Sequence, residues 1–138
     1  VKLTLALLAR YAEVDPESGL LNLTGGGVDV FGLKRLPAEF PMAFALQFRY
    51  PEAEAGKTFQ IALTTLDPQI QPVGKPTHFE ITPRLGKYHA EGWYGTYTIT
   101  GVVTLAVEMP GTHSINIEID GAVAGDISFQ VFQAADDR

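Results

Sequence analysis

The chain contains no cysteine. That excludes disulfides, thiolate metal sites and cysteine nucleophiles, and it is compatible with a reducing cytosol. Clustered positive charge is also missing: ten Lys and Arg are scattered through 138 residues whose net charge is −6. Neutralising phosphates takes clustered cations, so neither a nucleic acid nor an anionic membrane surface is an expected partner. No apolar run approaches the ~20 residues of a membrane helix. Helical periodicity is equally scarce.

What remains is an ordinary globular composition, 46% hydrophobic and 19% charged, in a chain long enough to bury a core without staples. No linker, repeat or low-complexity segment divides it, so one domain over residues 1–138 is expected. Residues Lys2 to Ala9 (KLTLALLA) have the make-up of a short signal-peptide core. Arg10 and Tyr11 stand where a small-residue cleavage site belongs, so an uncleaved strand is the expectation.

Apolar residues recur with period 2, the strand signature. Leu3, Leu5, Leu7, Ala9 and Tyr11 fall on one face of a first strand, with Thr4, Ala6, Leu8 and Arg10 on the other; a helix is the alternative there. Asp15-Pro16-Glu17-Ser18-Gly19 is a turn that folds strand one back onto Leu20 to Phe31. Within this second stretch Gly25-Gly26-Gly27 interrupts or bends one long strand. The prolines of Gly32 to Pro41 make a loop expected to carry the chain to a second sheet. Met42 to Tyr50 alternates cleanly, followed by strands over Phe59 to Thr64 and His78 to Thr82. Tyr97 to Val107 forms a long strand bent or bulged at Gly101. His113 to Ile119 and Ile127 to Phe132 flank an Asp120-Gly121 hairpin signal. The sum is an all-β, antiparallel sandwich of about eight strands, with a closed barrel as the alternative.

Three pieces, Leu21-Asn22-Leu23-Thr24-Gly25-Gly26-Gly27, Phe59…Leu63…Leu66-Asp67-Pro68…Pro72-Val73, and Pro110-Gly111…Ile117-Glu118-Ile119-Asp120-Gly121…Phe129-Gln130-Val131, occur in an order that spans most of the chain. Together they resemble a family of small, uncharacterised bacterial proteins, largely actinobacterial. The resemblance implies an immunoglobulin-like sandwich and a bacterial, cytoplasmic protein. It brings no established activity and no catalytic residue. The family's aromatic residue after Pro-Gly is His113 here.

Gly25-Gly26-Gly27 invites comparison with a phosphate cradle. Such a cradle needs a helix start behind the glycines, and Val28-Asp29-Val30-Phe31 follows instead. The three glycines are therefore structural. His78 with Glu80 and His89 with Glu91 supply two ligands each, short of the three or four a metal needs, so no metal or other cofactor is expected and the histidines, including His113, read as surface or edge residues. Asp29, Asp67, Asp120, Asp126 and several Glu could form a carboxylate pair across strands, but Asp67-Pro68 and Asp120-Gly121 already have turn explanations. Ser18, Ser114 and Ser128 lie outside any Gly-x-Ser-x-Gly elbow.

Tyr88, His89, Trp93, Tyr94 and Tyr97 form the most suggestive cluster. Aromatic rings beside polar groups can stack on a sugar or grip a peptide. Equally, Trp93 and one tyrosine can close the end of the core, and the large buried area of aromatics favours that second reading. The leading functional expectation is a non-catalytic domain that acts through protein–protein contacts, including self-association into a homo-oligomer. It rests on strand one being apolar on both faces. A ligand-binding module at residues 88–97 and, behind it, a metal-dependent enzyme are the alternatives.

Overall fold

A computed structural model describes residues 1–86 and 89–135. Nine strands occur among them: β1 (Lys2–Val14), β2 (Leu21–Gly26), β3 (Val30–Leu33), β4 (Ala38–Tyr50), β5 (Phe59–Leu66), β6 (Pro72–Ile81), β7 (Gly95–Val107), β8 (Gly111–Ile119) and β9 (Ala122–Gln133). They form two separate sheets, β2-β1-β4-β7 and β3-β9-β8-β5-β6. The layers face one another across a core of Leu8, Phe44, Leu46, Phe48, Ile61, Leu63 and their neighbours, so the architecture is a sandwich and not a barrel. β4 and β7 lie in one layer with β5, β8 and β9 in the other, and β6 extends the latter. That is the connectivity of an immunoglobulin-like sandwich.

The ninth strand comes from the glycines. Leu20 to Phe31 is not one bent strand. β2 ends at Gly26 in the first sheet and β3 begins at Val30 in the second. Gly25 and Gly27 take φ of 60° and 80°, a region in which a side chain collides with its own backbone. The turning backbone is held against β1, where the amides of Gly27 and Val28 donate to the Leu8 carbonyl at 2.8 and 3.2 Å. β3 then pairs parallel with β9, from Val30↔Gln130 to Leu33↔Gln133, so the pairing is not wholly antiparallel. The crossing between layers thus happens first at the glycines, and the proline-bearing loop before β4 returns the chain to the first sheet. Gly26 has no such constraint, and an added Cβ would meet Leu23 Cδ1 at 3.3 Å, the movable end of a side chain. Gly27→Val is therefore expected to cost about 2 kcal/mol of stability and Gly26→Ala under ~1 kcal/mol. Equal losses in urea unfolding would contradict this division of labour.

The expected faces of β1 also need correction. The β1–β4 register shifts between Leu3 and Leu5, a bulge. A bulge adds one residue to one strand and reverses the parity beyond it. Leu3 accordingly packs against the core, and past the bulge so do Ala6 and Leu8, while Leu5, Leu7, Ala9 and Tyr11 occupy the outer face. At Gly101, by contrast, there is no bulge: the β4–β7 register runs unbroken from Ala38↔Val107 to Tyr50↔Gly95. The β8–β9 hairpin turns as its sequence demands, with Asp120 and Gly121 at φ 50° and 82°, the signature of a type I′ turn.

Candidate functional site

Each sheet has one face on the core and one outside, and each outer face mixes polar and apolar residues. On the five-stranded sheet the outward positions carry Gln60, Thr64, His78, Glu80, Asn116, Ser128 and Gln130, together with the exposed apolar side chains of Val30, Val123 and Phe132. Gln60 Nε2 donates to Glu80 Oε1 at 2.8 Å and Gln130 Nε2 to Thr112 Oγ1 at 2.8 Å.

The outer face of the four-stranded sheet carries Leu5, Leu7 and Ala9 from β1, Ala43 and Ala45 from β4, and Val102 from β7, of which Ala9 and Ala45 are fully buried. Gln47, Thr98 and Thr100 share it, and Gln47 Nε2 donates to Thr98 Oγ1 at 3.2 Å. Cross-strand pairing sets them side by side, with Leu7↔Ala45 and Ala9↔Ala43 on one flank and Ala43↔Val102 on the other. Val102 is 66% exposed, and Leu5 and Leu7 are half-buried. A depression of about 310 Å³ lies in this region, its lining including Tyr11, Pro41, Ala43 and Val102.

Both ends of this face carry charge. At one end Lys2 lies directly opposite Arg49; among the described residues neither is in an ion pair. Like charges placed opposite one another across strands repel. At the other end stand Glu13 of β1 and Glu39 of β4, and Lys75 lines a depression of about 440 Å³ together with Glu39 and Val102. The Tyr11 hydroxyl donates to Glu13 Oε2 at 2.9 Å. That bond, with the carboxylate's charge, holds the phenol above its ordinary pKa.

The aromatic cluster is only partly assembled. Tyr88 lies outside the described residues. Tyr97 points inward opposite Phe48 and packs against the core. His89 turns toward Glu52, with Nε2 3.8 Å from Oε1, and Glu52 Oε2 also accepts from the Gly92 amide at 3.1 Å. Trp93 and Tyr94 are 69% and 57% exposed, so Trp93 does not close the core. Tyr50 does that instead. It is buried, its hydroxyl donates to the Arg84 carbonyl, and burial raises its pKa.

Tyr94 carries the Arg49 guanidinium over its ring, 4.7 Å from the centroid, a cation–π contact. Shallow depressions of about 280 and 250 Å³ flank it; Lys2, Arg49 and Pro51 help line the first, and Pro51, Glu52 and Trp93 the second. Arg49, Pro51 and Glu52 were not legible as site residues. The end of the β4 alternation followed by proline was the one available signal.

The histidines do not converge. Among the described residues no group of three or more His, Cys, Asp or Glu is placed to hold a metal ion. His113 is not at the surface. It is fully buried and stacks on Phe129, with ring centroids 5.2 Å apart and planes at 16°. Its Nδ1 lies 3.1 Å from the Gly111 carbonyl, which only accepts, so Nδ1 carries the proton. Nε2 has no partner among the described residues. The imidazole therefore serves as a flat core ring, the role an aromatic would fill at that position.

No helix among the described residues is long and apolar enough to cross a membrane. Two solved structures align over most of this chain at low similarity. One is an alkylpurine DNA glycosylase of Pseudomonas fluorescens, solved on DNA containing an abasic-site analogue. It is 12% identical, with a TM-score of 0.44 over 94% of this chain and 30% of that one. The other is an immunoglobulin-like protein of Pseudomonas aeruginosa, 13% identical, with a TM-score of 0.37 over 95% of each chain. The present chain thus spans under a third of the glycosylase, and neither likeness bears on activity. No curated protein matches. Residues 4–132 match a family of unknown function, DUF6941, and the chain belongs to that family.

Proposed function

We propose that this protein is a non-catalytic sandwich that acts through protein–protein contacts, including contacts with itself, made on the outer face of the four-stranded sheet. One observation carries the reading: Leu5, Leu7, Ala43 and Val102 lie side by side on that face, with Val102 66% exposed. A contiguous apolar face on a small domain is the ordinary mark of a contact surface.

Leu7→Lys tests the reading, because it places a charge at the centre of the face and leaves the core alone. The wild type is expected to show a mass above 15.0 kDa that rises with concentration in light scattering, and to retain partners from an extract of its source cell. Leu7→Lys is expected to lose both while keeping its far-UV circular dichroism. Identical behaviour of the two proteins in both measurements would remove this face from the account.

A second reading is favoured by the exposure of Trp93 and Tyr94 beside Pro51. Two exposed rings next to depressions of 250 to 280 Å³ suit a stacking ligand such as a sugar. A glycan array and a metabolite screen with Trp93→Ala as control test it. A ligand bound equally by the variant would show that this corner is not its site.

A further inference from the structure

We propose that the free edge of β7 takes an extended segment of a partner protein as an added strand, along residues 95–101. This contact lies beyond the outer face and does not depend on it.

The four-stranded sheet ends at β2 and β7, the five-stranded sheet at β3 and β6. An edge strand presents unpaired amides and carbonyls, which folded proteins blunt with short strands, proline, charge or a bulge. Three of these edges are blunted. β3 has four residues, and β2 has six and ends in Gly25-Gly26. β6 carries Pro72, Lys75 and Pro76, and its register with β5 shifts so that Gly74, Lys75 and Pro76 stand opposite Thr64 alone. β7 has no such device. Its 13 residues include no Pro, Lys, Arg, Asp or Glu, and it runs in unbroken register with β4. Among the described residues no backbone hydrogen bond reaches it from any other strand or loop.

β6 sets the length of the open edge and so its occupant. The excursion at Gly74 reaches the C-terminal half of β7. A Cβ on Gly74 would lie 3.0 Å from the Ala106 Cβ, and Gly74, Lys75 and Pro76 line one depression with Val102, Thr104 and Ala106. Residues 95–101 lie outside that contact and offer about 24 Å of edge. A strip of that length and ~10 Å thickness is about 240 Å² per partner, far below the ~800 Å² that each side of a specific interface between folded proteins buries. A second copy is therefore a poor fit. A lone extended segment, held by main-chain hydrogen bonds, is a good one.

Its chemistry follows from its neighbours. Along this length Thr96, Thr98 and Thr100 face outward and Tyr97 and Ile99 inward. Phe79 of the facing sheet, stacked on Phe44, is on the inner side as well, and these three apolar side chains are only partly buried. The fitting segment is uncharged and free of proline, with apolar residues alternating with small polar ones.

The test uses the Leu7→Lys variant, in which the outer face is disabled, so that failure of the edge and failure of the face are read separately. The probe is a synthetic peptide alternating valine and threonine, with lysines at both ends for solubility. The control has its central valine replaced by proline. Saturable binding is expected in fluorescence anisotropy, at least ~10-fold weaker for the control, with slowed hydrogen exchange at every second amide between Thr96 and Gly101. No saturable binding, equal binding of the two peptides, or binding without that alternating protection would overturn the added strand. Protection of the same amides on concentrating the variant alone would overturn the partner segment in favour of a second copy.

Discussion

Leu8→Ala is expected to lose about 3–4 kcal/mol of folding stability, while the adjacent Leu7→Ala loses about 1 kcal/mol or less. Leu8 is fully buried and paired with Phe44 in the core. Truncating it removes transfer free energy and leaves a cavity between two sheets that cannot close freely. Leu7 stands on the outer face, where a truncated side chain is replaced by water. Its loss should appear in self-association instead. Urea unfolding at low protein concentration separates the two effects, because association stabilises the folded state by mass action. Far-UV circular dichroism is the better probe, since the one tryptophan, Trp93, is exposed. Equal losses at the two leucines would mean that the shift between Leu3 and Leu5 does not reverse the faces of β1, and the apolar outer face would go with it.

That pair of residues also shows where sequence reading stops. Alternation identified β1 as a strand and showed both of its faces to be apolar. It could not say which face met the core, because a bulge is a property of two paired strands and Leu3-Thr4-Leu5 alone does not announce one. The glycines are a similar case. Their neighbours on both sides are correctly read as strands, but no local signal says that two strands belong to different layers. Only the partners decide: β1 for Leu21 to Gly26, β9 for Val30 to Leu33. The Asp120-Gly121 turn was legible in full because its geometry is local. Trp93 was misread on burial, since the area a ring offers does not reveal whether anything covers it. Lys2 and Arg49 are plain in the sequence, but only the β1–β4 register sets them opposite one another.

Gly101→Ala is expected to destabilise by about 1–3 kcal/mol, and Gly95→Ala by somewhat more. In most strands the sign would be the reverse. Glycine weakens a strand by its backbone freedom, and alanine at a compatible position gains roughly 0.5–1 kcal/mol. Neither glycine is among those with positive φ, so conformation does not require them here. Space does. Gly101 faces Phe44 across the β4–β7 ladder, and an added Cβ would lie 2.7 and 2.9 Å from ring atoms Cζ and Cε1. The ring cannot retreat, because its other side stacks on Phe79 of the opposite sheet, with centroids 6.0 Å apart at 19°. Gly95 faces Tyr50 in the same way, with a Cβ 2.6 Å from the hydroxyl oxygen. Moving that ring also breaks the hydroxyl's bond to the Arg84 carbonyl, which adds the cost of an unpaired buried group. The bulkier strand β4 therefore packs its two rings over two bare positions on β7, while Phe48 and Leu46 between them face the full side chains Tyr97 and Ile99. A double-mutant cycle isolates the contact. In a Phe44→Leu background, Gly101→Ala should regain at least ~1 kcal/mol relative to its cost in the wild type, a coupling expected only of touching residues. Gly101→Ala that stabilises the wild type would show that the glycine makes no room for Phe44.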